Sequence, residues 1–189
     1  MTTPPRDYQA GTPGDASLVE ADGRWTLVLV RDVPHPIDRV WEALTDPAEL
    51  REWAPFDPNR NLATPGGMTL TMPAGAAGDA PEAAPGEVRE AVRPTVLEYT
   101  WQGDVLRWEL SPIPGGTRLI LRHTVQERRW VSMVAAGWHI CLDVATHAMA
   151  GAPVGRIIGH DAMAVGWERL RDAYARQLGV PEGEAPPLT

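Results

Sequence analysis

Few side chains in this sequence can carry proton-transfer, nucleophilic or metal chemistry, and their spacing says where each would act. His139, Asp143 and His147 recur at i, i+4 and i+8, which brings three ligating groups to neighbouring parts of one helix surface. Such a set could hold a divalent metal. The apolar stripe of the same segment, however, runs through Trp138, Leu142, Ala145 and Met149, so Asp143 and His147 point mostly away from it. A solvated or helix-covered polar face is the expectation, with no metal. Cys141 flanks that stripe. It is the sole cysteine, in a chain without lysine to lower its pKa, and reads as a small buried hydrophobe. His123 differs, because strand alternation puts it with Leu119, Leu121 and Val125 on one apolar face. A histidine there is either a satisfied interior residue or, in a hollow core, the hydrogen-bond partner of a ligand or a general base. Eight tryptophans stand against one phenylalanine. Trp41, Trp53, Trp138 and Trp167 fall on helical stripes and Trp101 and Trp108 on strand faces, so core packing accounts for most of them. Trp101, Trp108 and Trp138 could also converge on one wall of a pocket, and each indole N–H needs a partner.

The elements that position these residues follow from periodicity. Residues 24–31 (RWTLVLVR) have the length and composition of a strand. The string PIDRVWEAL then places Ile37, Val40, Trp41 and Leu44 at helical spacing behind Pro36. Asp46-Pro47 is an N-cap followed by proline at the first helical position, which opens a second, short helix with Leu50 and Trp53 inward. Turn-punctuated runs follow. Met68, Leu70 and Met72 alternate with threonines; Leu97, Tyr99 and Trp101, then Leu106, Trp108 and Leu110, then Leu119 to Val125 alternate with polar residues. This describes an antiparallel meander with one apolar face. A helix of about 20 residues from Val131 and a final helix over 161–178 close the chain. A sheet with one apolar face needs a cover, and the long helix supplies it. Residues 73–86 (PAGAAGDAPEAAPG) read as a mobile hairpin loop, residues 1–20 as a flexible leader and 181–189 as a flexible tail, which leaves one domain over 21–180. The cluster Glu127-Arg128-Arg129-Trp130 reads as a solvated hinge between the last strand and the long helix.

Composition narrows the chemistry further. The net charge of −8 repels a phosphate backbone, so nucleic acid is not an expected partner. The 17 basic residues are all arginine, which excludes a Walker lysine, a lysine Schiff base and a Ser-Lys dyad. None of Ser17, Ser111 and Ser132 sits in G-x-S-x-G. No stretch is apolar for long enough to span a membrane, and the polar start of the chain has no signal core, so a cytoplasmic location is the default.

Several strings resemble the SRPBCC (START-like, helix-grip) superfamily, in the branch similar to the C-terminal domain of the activator of heat-shock protein 90 ATPase. They are IDRVWEALTDPAELREW (37–53), PGGMTLTM (65–72), GEVREAVRPTVLEYTW (86–101), GGTRLILRHT (115–124) and GWHICLD (137–143). The resemblance implies an α+β helix-grip fold, often with a hydrophobic cavity, and transfers no activity by itself. The combined expectation is a curved antiparallel sheet of about seven strands wrapped on the long helix, binding a small, mainly apolar molecule between them without a cofactor. Met68, Leu70, Tyr99, Trp101, Trp108, Leu119 and Trp138 would form the walls, with His123 as the polar contact. Two alternatives stand beside it. One is a protein-interaction module with a chaperone or other protein as partner. The other is a cyclase- or dehydratase-type enzyme using His123, with Glu90 and Tyr99 as helpers.

Overall fold

The computed structural model describes residues 8–76 and 80–183. In chain order the elements are β1 (Asp15–Ala21), β2 (Arg24–Val33), α1 (Ile37–Thr45), α2 (Pro47–Trp53), β3 (Asp57–Pro58), β4 (Gly66–Met72), β5 (Glu82–Val92), β6 (Val96–Trp101), β7 (Asp104–Ile113) and β8 (Gly116–Val125). A single 3-10 turn, Arg128–Trp130, leads into α3 (Val131–Met149), followed by α4 (His160–Ala164) and α5 (Trp167–Leu178). The eight strands form one antiparallel sheet in the order β1-β2-β8-β7-β6-β5-β4-β3. This is the helix-grip α+β architecture, with eight strands where about seven were expected.

The sheet's inner face follows the alternation in the sequence. Leu97 and Tyr99 on β6, Leu106 and Trp108 on β7, and Leu119, Leu121 and His123 on β8 are all buried. Their neighbours face outward, where Arg107 bonds Glu90, Glu98 and Glu109. α1 and α2 carry the chain from β2 near one edge to β3 at the other. Asp46 caps α2 as its spacing predicts: its carboxylate accepts the Ala48 N–H at 2.7 Å, with Pro47 in the first turn. The β8–β2 contact is tight, because a Cβ on Gly116 would lie 2.1 Å from the Val33 carbonyl oxygen.

Four expectations are corrected. Residues 15–21, read as leader, form β1, which Asp22-Gly23 joins to β2 with both turn residues at positive φ, the pattern of a type I′ hairpin. Tyr8 and Ala10, further upstream, are buried. The hairpin loop read over 73–86 is shorter, since β5 begins at Glu82; its residues 77–79 lie outside the described residues. The final helix is broken in two at Val165-Gly166, where Gly166 takes φ +101°. The start of the tail is held: the Ser132 hydroxyl lies at hydrogen-bond distance from the carbonyls of Pro181 and Glu182, while 184–189 lie outside the described residues.

α3 is also less amphipathic than the stripe through Trp138 suggested. Ser132, Ala136, His139, Ile140 and Val144, on its other sides, are buried as well. A helix buried on more than one side needs more than the sheet, and α5 supplies a second cover through Leu170 and Tyr174. Replacing Asp46 with alanine removes the α2 cap and is expected to lower the unfolding free energy by about 1 kcal/mol, measured by urea denaturation against the parent protein.

Candidate functional site

All eight residues expected to form the binding site come to the same inner face. Met68, Leu70, Tyr99, Trp108, Leu119, His123 and Trp138 are each at most 5% exposed, and Trp101 is partly buried against them. The aromatic rings form a continuous wall. Trp108 stands edge-on to Trp138 at 5.3 Å and to Trp53 at 6.3 Å, and Phe56 stands edge-on to Trp101 at 5.0 Å and Tyr99 at 6.0 Å. Phe56, absent from the expected set, follows a break after α2 and lies on no periodic stripe that would single it out.

The indole N–H groups of this wall show how it is held. Trp53 donates to the Ala43 carbonyl at 3.1 Å, Trp108 to the Tyr99 hydroxyl at 3.2 Å, and Trp138 to His123 Nδ1 at 2.9 Å. An indole nitrogen only donates, so His123 Nδ1 is the acceptor and the ring proton sits on Nε2, which faces the Asp104 carboxylate at 3.0 Å. Both ring nitrogens of His123 are therefore engaged by protein. The fourth indole, Trp101, has its nitrogen buried with no protein acceptor. The Tyr99 hydroxyl is driven above its ordinary pKa by burial, so it stays neutral. Glu90 does not join His123. Its carboxylate bonds Arg107 at 2.6 Å on the outer face, which removes the helper expected for an enzymatic reading.

A second polar group lies on the flank of α3 under α5. His139 Nε2 is 3.3 Å from Asp143 and Nδ1 is 2.8 Å from the Tyr174 hydroxyl. The carboxylate only accepts, so Nε2 carries a proton, while Nδ1 shares a hydrogen bond with the Tyr174 hydroxyl, whose oxygen receives the Gly14 N–H at 2.9 Å. Asp143 also accepts from the Tyr8 hydroxyl at 2.7 Å and from Arg31 at 2.8 Å. Burial would raise the Asp143 pKa, but the His139 bond, the Arg31 charge and the Tyr8 bond outweigh it and hold the carboxyl below its ordinary range. An open cleft of about 520 Å³ borders this group, edged by Gly11, Thr12, Asp15 and Arg118. Asp143 and both nitrogens of His139 have protein partners, so the expected helix-covered polar face is a joint that binds α3 to α5 and the N-terminal segment. Among the described residues no set of three or more His, Cys, Asp or Glu could hold a metal ion. Cys141 is buried, and desolvation pushes its thiol up to about 12.

Comparison with known proteins agrees with this architecture. The family described as "Activator of Hsp90 ATPase homolog 1-like protein" matches residues 34–150. The chain belongs to this family. Among solved structures it is similar to a protein of Bordetella parapertussis encoded by BPP1335 (23% identity, TM-score 0.63, covering 94% of this chain and 96% of that one). It is similar to CalU16 from Micromonospora echinospora (20%, TM-score 0.61, 87% and 96%). An AHSA1-like protein from Aeromonas hydrophila matches at 21% identity with a TM-score of 0.57, covering 67% of this chain and 94% of that one. At these identities the likeness is one of fold. A search of curated proteins gives no match. Among the described residues no helix is long and apolar enough to cross a membrane.

Two outcomes check this geometry. His123→Leu strands the Trp138 N–H and is expected to cost roughly 1–3 kcal/mol in urea unfolding. Asp143, with its pKa lowered in the folded state, contributes stability that is present above its ordinary value of 3.8 and lost as pH falls through the folded value. Acid titration of unfolding stability is therefore expected to fall less steeply below that value in Asp143→Asn than in the parent protein.

Proposed function

We propose that this chain binds a small, mainly apolar molecule between the sheet and α3, and that the molecule carries a hydrogen-bond acceptor for Trp101. The observation that carries this reading is the unpaired Trp101 N–H. Buried donors in native proteins are nearly always paired, and the three other indoles of the same wall have protein partners. Trp101 is also the wall residue left only partly buried, at the end of β6, with Phe56 at 5.0 Å. A ligand there would lay apolar surface on Phe56 and Trp101 and present a carbonyl, ether or carboxylate oxygen to the indole nitrogen. The deeper expected walls, Trp108, Leu119 and Trp138, support it from behind, and His123 serves by fixing Trp138. The family fold, which commonly holds hydrophobic ligands, supports the same reading.

The expected function is noncovalent binding, because neither histidine with an inward role has a free nitrogen for proton transfer. Titration of tryptophan fluorescence with a panel of fatty acids, sterols and aromatic polyketides tests this. At least one acceptor-bearing compound is expected to bind saturably, with affinity reduced about five- to tenfold by Trp101→Phe, the equivalent of one hydrogen bond. No saturable binding across the panel would overturn the reading. Binding unchanged by Trp101→Phe would remove the assigned contact.

A further inference from the structure

The chain between α3 and α4 is irregular, and its attachments are few. The Gly151 and Ala152 N–H groups close the helix on the carbonyls of Ala148 and His147. Beyond them, residues 153–157 make no backbone–backbone hydrogen bond among the described residues. Side chains and one close backbone contact hold the segment instead, with Val154 packed partly buried against the core. Ile157 inserts into the core with 2% of its surface exposed. Arg156 donates through one nitrogen to the Asp57 carboxylate of β3 and the Leu50 carbonyl of α2, while its Nε is buried without a partner. Gly159, at φ +55° and ψ −129°, presses its backbone on the β4–β5 connection so closely that a Cβ would lie 1.7 Å from the Gly75 carbonyl oxygen. Gly151 and Gly155 also take positive φ, so the segment has glycine joints along its length.

These anchors place the segment across α2, β3 and the β4–β5 connection, along the flank of the interface between α3 and the sheet. Cys141 of α3 is buried, and the burial that raises its thiol is opposed in part by the charge of Arg156, which puts the cysteine near this segment. Segments with few backbone hydrogen bonds and a handful of side-chain anchors open locally at less cost than helices or central strands. We propose that residues 152–159 form a strap that releases from α2 and β3 as a unit, turning on Gly151 and Gly155, and that its release opens the flank through which a ligand enters the interior. The entry route rests on the binding reading above; the opening does not.

The native cysteine reports the opening directly. In the full chain without denaturant, the reaction of Cys141 with 5,5′-dithiobis(2-nitrobenzoate) is expected to run more than tenfold faster than global unfolding allows, and to change little in low urea. Asp57→Ala, which frees Arg156, and Gly159→Ala, whose methyl group collides with Gly75, are each expected to speed labelling tenfold or more beyond any change in their measured global stability. Labelling that follows global stability alone in all three proteins would overturn the strap. The route is read by stopped-flow association of 1-anilinonaphthalene-8-sulfonate, which is expected to accelerate in the same two variants. Faster thiol labelling with an unchanged association rate would overturn the route while leaving ligand binding intact. Faster labelling in a protein that binds no apolar probe would overturn the binding reading, and the route with it, while leaving the opening established.

Discussion

α3 is buried over most of its circumference, and the rest of the molecule is arranged around that fact. Trp138 lies against the sheet through His123, the flank that carries His139 lies under α5, and α1 and α2 also pack on the helix. Enclosing a helix twice takes Ser132 and His139 out of water and leaves Asp143 only partly exposed. Each such group must then be paired inside, because burying an unpaired one costs more than most packing contacts return. Ser132 is bonded to the chain after α5, and His139 and Asp143 to Tyr174, Tyr8 and Arg31. The ordered N-terminal segment is thus a consequence of the polar residues left on a doubly covered helix.

The two buried histidines solve the same problem in the same way. Each has one nitrogen turned to a carboxylate and the other hydrogen-bonded to an aromatic side chain, Trp138 for His123 and Tyr174 for His139. That arrangement occupies both nitrogens of each ring with protein partners and, for His123, fixes the tautomer. Residues whose types promise acid–base chemistry serve here as joints between elements: His123 ties α3 to β8, and His139 ties α3 to α5. Trp101 is the exception along the aromatic wall, and it gives the interior a directional polar feature that the joints do not.

Alternation and helical spacing made most of this architecture legible in the sequence. The inner faces of β4, β6, β7 and β8, the capped start of α2 and the length of α3 all follow from residues that repeat at a period of two or 3.6. Alternation for the strand residues, and helical spacing for Trp138, brought the eight expected site residues together. What it could not show was which of them would satisfy one another, since Trp138 and His123 belong to different elements whose pairing is tertiary. β1 had a signal that polar flanks obscured: Asp22-Gly23 between two strand-like runs is a strong hairpin pattern, but Ser17, Glu20 and the prolines and glycines upstream resemble a leader. The break before α5 depends on the backbone at Gly166, and Phe56 on a turn, so neither had a periodic mark.

The register of the sheet has a further consequence for how the chain is made. β2 lies between β1 and β8, with Trp25 opposite Val125 and Val33 opposite Thr117. A nascent chain leaving the ribosome would hold the first hairpin with one long edge unpaired until most of the polypeptide had emerged. Pairings of such high sequence separation slow folding, because the loop they close must be ordered before they reward it. During synthesis that waiting edge is open to pairing with another chain.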